Sequence, residues 1–159
     1  APILHVLGKG FVLHYTGGPA AEKDKAHMPP NMIDMGRLQG DAAVVAAMQN
    51  ADALLFPSRS EGHPLVAVEA MACGLPIIGM HGSSVSEAVT DGQTGLLCPQ
   101  NDVAAFVTAT RSLAADHARY ARLAQAARLQ AVEHFSETTM TNAYLHLYQC
   151  ATADAKGTL

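Results

Sequence analysis

Two glutamates, Glu61 and Glu69, stand with seven residues between them in residues 56–79, FPSRSEGHPLVAVEAMACGLPIIG. Glu61 falls in a loop after an apolar, strand-like run. Glu69 falls inside a helix expected to begin near Pro64, a favoured first helical residue. At 1.5 Å per residue, Glu69 lies roughly 7–8 Å along the axis from that start. Between the carboxylates come the free amides of the first turn, around Leu65 and Val66, which can face an anion with the helix dipole behind them. A diphosphate placed there has one carboxylate on each side. That suits a nucleotide sugar, whose charged centre is flanked by two hydroxyl-rich rings that donate charge-assisted hydrogen bonds to carboxylates.

Such a site needs a frame, and the chain reads as alternating strands and helices. Residues 11–16 (FVLHYT) form a short β-prone run stopped by Gly17-Gly18-Pro19, and residues 19–30 are polar, contain Pro29-Pro30 and read as a loop. Residues 31–35 are a second strand candidate, ended by Gly36, and Asp41 reads as the N-cap of an Ala-rich helix. Residues 53–56 read as a buried strand, 64–73 as a helix before Gly74, 75–78 as a fourth strand and 95–98 as a fifth. Three helices are expected near 102–115, 117–134 and 137–150, with 151–159 as a fraying tail. This alternation implies a parallel sheet covered on both faces, with ligands bound in the loops at the carboxyl ends of its strands. Residues 1–7 (APILHVL) read as the tail of an amphipathic helix. A doubly wound sheet has a strand before such a helix, so the chain reads as a fragment beginning after its own first strand.

Composition excludes several classes. Hydrophobic residues are 49% and charged residues 15% of the 159, enough for a core and too apolar for a disordered chain. A net charge of −4 gives no basic stripe for nucleic acid. Cys73, Cys98 and Cys150 are far apart and odd in number, which fits neither a zinc ligand set nor a disulfide framework. No signal peptide and no long apolar span is evident, so the expected setting is the cytoplasm. Aromatics are 5%, with no Trp, which points to a close-packed core of small and β-branched residues in a helix-on-sheet fold.

The segment around the two glutamates resembles the donor-binding core of the retaining GT-B glycosyltransferases of family 4, marked by Glu-x7-Glu. Pro57, Ser58, Glu61, Gly62, Pro64, Leu65, Glu69, Ala70, Met71, Ala72, Gly74, Pro76 and Ile78 fit that pattern. Ala51-Asp52, Glu87, residues 91–97 (DGQTGLL) and His134-Phe135-Ser136 extend it over almost the whole chain. The resemblance implies a Rossmann-like domain, residues 1–150, forming one half of a GT-B fold. It implies transfer of a hexose, with retention, from a UDP-, GDP- or ADP-sugar to a saccharide or lipid acceptor held by a second domain. Glu69 would hold the ribose hydroxyls and Glu61 those of the transferred sugar, as the catalytic carboxylate. Amides from His63 to Val66, with Gly62 and Pro64 in the same turn, would contact sugar and diphosphate. Arg37 and Leu38 would lie near the base, and Gly17-Gly18 would let the backbone approach the donor. No metal or cofactor is implied, and membrane contact, at the inner face, would come only through the second domain.

Three departures stand out. His63 replaces the usual aromatic after Glu-Gly, and Ser83-Ser84 with Ser86 replaces the usual Gly-Gly and Pro before Glu87. The family's first strand, whose Arg and Lys grip the diphosphate, has no counterpart in these residues; Lys9 and Arg59 do not match it. Two other readings share such a sheet: a nucleotide-sugar epimerase, and a nucleotide-binding module without catalysis.

Overall fold

The computed structural model describes residues 1–17, 27–59, 62 and 64–156, with side-chain burial given through residue 152. Helix α1 (Pro2–Leu7) leads into β1 (Leu13–Tyr15), which pairs in parallel with β2 (Met32–Asp34). Helix α2 (Gly40–Gln49) then precedes β3 (Leu54–Phe56), α3 (Leu65–Ala72), β4 (Ile77–Met80), the short α4 (Val85–Ala88) and β5 (Gly95–Cys98). Helices α5 (Val103–Ala115), α6 (His117–His134) and α7 (Glu137–Lys156) complete the chain. The second sheet is all parallel, in the order β3-β4-β5. The α/β reading of parallel strands flanked by helices is therefore correct, and each of the five expected strands is present.

The period of two along each strand distributes side chains to two helical layers. Ile77 and Gly79 of β4 face α3 and α4, where Ala67, Ala70, Met71 and Val85 are buried. Ile78 and Met80 face the opposite layer, with Phe106 and Leu113 of α5. Helix α6 contributes to both layers, through Tyr120 and Leu123 on one side and Ala127 and Ala131 on the other. Its Gln130 Nε2 donates to the Ala88 carbonyl at 2.8 Å, and Arg128 donates to the Ala72 carbonyl at the end of α3. All four β4 residues are buried, as expected for a strand covered on both faces.

Small residues set this packing. Gly74, at φ 72°, ends α3: its N–H donates to the Met71 carbonyl and that of Leu75 to the Ala70 carbonyl, each at 2.9 Å. At Gly95 a Cβ would stand 2.7 Å from both the Ile77 carbonyl oxygen and Val89 Cγ1, so only glycine lets β5 approach β4 and the turn after α4.

Several boundaries differ from the sequence reading. Asp41 is not the cap of α2: Gln39 takes that position without a side-chain bond, and Asp41 lies in the first turn. Pro64 sits one residue before α3, which starts at Leu65 and ends at Ala72 with Cys73 as C-cap. Strand β4 covers 77–80 rather than 75–78, because the tight exit at Gly74-Leu75 delays pairing until Ile77. Helix α7 continues to Lys156, through most of the segment read as a tail. Asp102 and Asp116 cap α5 and α6 as local chemistry dictates, accepting from Ala105 N at 2.9 Å and Arg119 N at 2.8 Å. No helix among the described residues is long and apolar enough to cross a membrane.

Candidate functional site

The loop after β3 and the loop after β4 meet over the carboxyl ends of their strands. Arg59 and Gly62 from the first, with Gly82, Ser83, Ser84, Ser86 and Glu87 from the second, line a cavity of about 420 Å³. Its serines differ in their bonding. Ser83 Oγ donates to the Met80 carbonyl at 2.8 Å and Ser86 Oγ to the Ser83 carbonyl at 2.6 Å, which shapes the turn. Ser84 Oγ is buried with no hydrogen-bond partner. A buried hydroxyl in that state is a polar group that a ligand can satisfy.

Helix α3 borders the same loop. Its buried face is Ala67, Ala70 and Met71, while Leu65 (61% exposed), Val66 (47% exposed) and Glu69 point outward. The first turn closes with Ala67 N–H and Val68 N–H donating to the Pro64 carbonyl at 2.9 and 3.1 Å. The amides of Leu65 and Val66 are then the terminal donors that helix geometry leaves without an intrahelical acceptor. Glu69, one turn on from Leu65, stands on the exposed side with them.

A second pair of loops also comes together. Gly17, at φ 124°, donates its N–H to the Gly36 carbonyl at 3.4 Å, and Thr16 Oγ1 donates to the same oxygen at 2.7 Å. The Gly36 N–H is held by Asp34 Oδ1 at 2.8 Å. This fixes the start of the segment carrying Arg37, which is exposed, and Leu38, which is half-buried. Glu61, His63 and Gly18 lie outside the described residues. The sequence reading named the glutamates and the α3 amides but left Gly82, Ser83 and Ser84 out of the site. Their signal was a Gly-Ser-Ser turn directly after a strand buried on both faces. Among the described residues no three His, Cys, Asp or Glu side chains cluster as metal ligands, and the three cysteines are free.

Comparison with known proteins bears on this geometry. The pattern of the "Glycosyl transferases group 1" family matches residues 19–130. Over 108 residues the chain is 38% identical to a glycogen synthase of Mycobacterium tuberculosis, covering 68% of this chain and 26% of that protein. Over 116 residues it is 35% identical to a D-inositol 3-phosphate glycosyltransferase of Rhodococcus jostii, covering 73% of this chain and 25% of the relative. The chain thus spans about a quarter of the length of these curated relatives. Among solved structures, sucrose-phosphate synthase of Thermosynechococcus elongatus superposes with a TM-score of 0.75 at 25% identity, over 89% of this chain and 39% of that one. Anabaena HepE, solved with UDP and glucose, gives a TM-score of 0.77 at 18% identity, over 92% of this chain and 44% of its own; that likeness is one of fold. With the α/β layers above, the architecture is one Rossmann-like half of a GT-B fold. On the family match and the identity to these relatives, the chain belongs to the group 1 glycosyltransferases.

Proposed function

We propose that this chain is the donor-binding part of a retaining hexosyltransferase of family 4, taking a nucleotide-diphosphate sugar. The observation that supports this most is the outward face of the first turns of α3. Leu65, Val66 and Glu69 are exposed together on the helix that follows the loop after β3, and that loop's Arg59 and Gly62 line the cavity it shares with the loop after β4. In this reading the Leu65 and Val66 amides and the helix dipole receive the diphosphate. Glu69 accepts from the ribose hydroxyls on one side, and Glu61 from the transferred sugar on the other. Gly17 and the Arg37-Leu38 segment border the nucleobase. HepE, a structure of the same fold solved with UDP and glucose, makes a UDP-sugar the first donor to try.

The chemistry is electrostatic. As the bond from the anomeric carbon to the diphosphate breaks, negative charge grows on the leaving phosphate, and fixed amide dipoles stabilise it without reorganising. In this reading Glu61 holds the hexose while the acceptor approaches. The reading assigns no metal or cofactor to this step. The acceptor, a saccharide or lipid, is held by a second domain, so this chain alone binds donor weakly and transfers nothing. The whole enzyme is expected in the cytoplasm, peripheral at the membrane where its acceptor is a lipid.

Calorimetry with UDP, GDP and ADP tests the site. Glu69→Ala is expected to weaken binding of the preferred nucleotide about tenfold, or roughly 1.4 kcal/mol. Unchanged binding in that variant removes Glu69 from the site. Absence of binding by any of the three to the full-length enzyme removes the proposal.

A further inference from the structure

The cavity between the loops after β3 and β4 has a lining whose bonding is uneven. Arg59 brings a guanidinium, Glu87 a carboxylate, and Ser83, Ser84 and Ser86 a hydroxyl each, while Gly62 and Gly82 bring no side chain. The Ser83 proton goes to the Met80 carbonyl and the Ser86 proton to the Ser83 carbonyl. Ser84 Oγ is buried and meets neither donor nor acceptor. Among the described lining residues, Ser84 is thus the serine whose proton and lone pairs are both uncommitted.

Local structure makes no use of that hydroxyl and yet holds its residue in place. Ser84 precedes α4 with φ −57° and ψ −21°, helical angles rather than the extended ones from which a serine caps, and it makes no side-chain cap bond. Its neighbours are pinned. Ser86 N–H donates to the Ser83 carbonyl at 2.9 Å and Glu87 N–H to the Ser84 carbonyl at 3.0 Å. Val85 is fully buried against β4, where a Cβ on Gly79 would stand 2.8 Å from Val85 Cγ1. Ser84 itself is half-buried and lines the cavity, so rotation about its Cα–Cβ bond is all that a bond to a ligand there requires. An unmade bond at a buried hydroxyl is a cost that nothing in the fold recovers.

We propose that Ser84 is a specificity-determining residue, whose hydroxyl donates to one hydroxyl oxygen of the hexose carried by the donor. This rests on the donor reading above. The lining selects the class of ligand. A phosphate or carboxylate in the cavity meets the Glu87 carboxylate, and an ammonium meets the Arg59 guanidinium. A neutral sugar ring, whose hydroxyls each donate and accept, suits both charges. About 420 Å³ is room for one such ring, toward the small end of ligand pockets. The hydroxyl is this chain's own, since the resemblance expects glycine where Ser83 and Ser84 stand. A buried donor that one ligand hydroxyl satisfies rejects a hexose lacking that hydroxyl, because the donor is then left unpaired.

Calorimetry on the full-length enzyme tests this, with UDP, GDP and ADP and then the glucose, galactose and mannose esters of each nucleotide that binds. In Ser84→Ala, binding of at least one hexose ester should fall about tenfold, while the nucleotide alone binds as in the wild type. Among the monodeoxy forms of that hexose, one should bind wild type and variant equally; if none does, Ser84 meets no single hydroxyl and the proposal falls. The Tm should hold or rise, since no structural bond is lost. A nucleotide that binds while every hexose ester is indifferent to Ser84→Ala overturns the proposal and leaves the donor reading standing. Equal losses for nucleotide and hexose ester, or a Tm lowered by about 4 °C or more, give Ser84 a structural role and overturn it too. A glucuronic acid ester bound more tightly than all three hexose esters overturns it in favour of an anion site. Failure of all three nucleotides to bind the wild type removes the donor reading, and this inference with it.

Discussion

At the scale of single residues, burial separates side chains that the sequence presents as equals. The three cysteines differ in access: Cys150 is exposed, Cys73 intermediate and Cys98 buried against α5. Burial pushes the Cys98 thiol above its ordinary range, and the carboxylates of Asp91 and Asp102 push the same way. Iodoacetamide near neutral pH should therefore label Cys150 first and Cys98 last, as peptide mass mapping can show. The sign for stability follows from linkage. An acid held protonated by the fold favours the native state fully below the ordinary thiol range, and that contribution is lost as pH rises through it. Stability measured by urea titration should fall from pH 8 to pH 10, and more steeply in the wild type than in Cys98→Ala. An equal slope in both would assign the decline to other groups. Glu69 illustrates legibility at this scale: its spacing from Glu61 is plain in the sequence, but its outward direction depends on which face of α3 meets the core.

At the scale of elements, two close contacts govern how the second sheet packs. Gly95→Ala puts a methyl 2.7 Å from a main-chain oxygen of β4, where only backbone movement relieves the clash. A loss of about 1–3 kcal/mol is expected from the urea midpoint, the range for overpacking a tight site. Met71 is fully buried between α3 and its neighbours, and Met71→Ala should cost about 2–5 kcal/mol by the same measurement. Both values should be similar with and without nucleotide, since neither side chain lines the site. Element type was legible because it rests on local rules. Alternating apolar residues, Gly74, and the Asp102 and Asp116 caps each act within a few positions. Boundaries were less so. Gln39 displaced Asp41 as the residue before α2, and the turn at Gly74-Leu75 moved β4 by two residues. The β4 shift follows from the turn that closes α3 on Ala70 and Met71, which strand propensity does not register.

At the scale of the whole molecule, α7 stands apart from the two layers. Its side chains from Met140 to Thr152 are exposed, including Met140, Tyr144, Leu147 and Tyr148. It is tied to α6 near its start, where Thr139 Oγ1 donates to the Glu133 carbonyl and Ser136 Oγ accepts from Thr139 N–H. A chain ending at Ser136 should keep its urea midpoint to within about 0.5 kcal/mol, since so little apolar surface is re-exposed. A larger loss would show α7 to be part of the core. Read alone, the sequence settles the alternation of strands and helices, the parallel class that alternation requires, and, through the match over residues 19–130, the family. These are properties of neighbours along the chain, where side-chain period and helix termini act within a few residues. Only the folded chain brings Arg59 and Gly62 against Ser83, Ser84 and Glu87, turns Leu65, Val66 and Glu69 outward together, and sets β4 between β3 and β5. Those are matters of which strand lies beside which and which flank is filled. Hydrogen bonds between distant residues set them, and no local pattern carries that information.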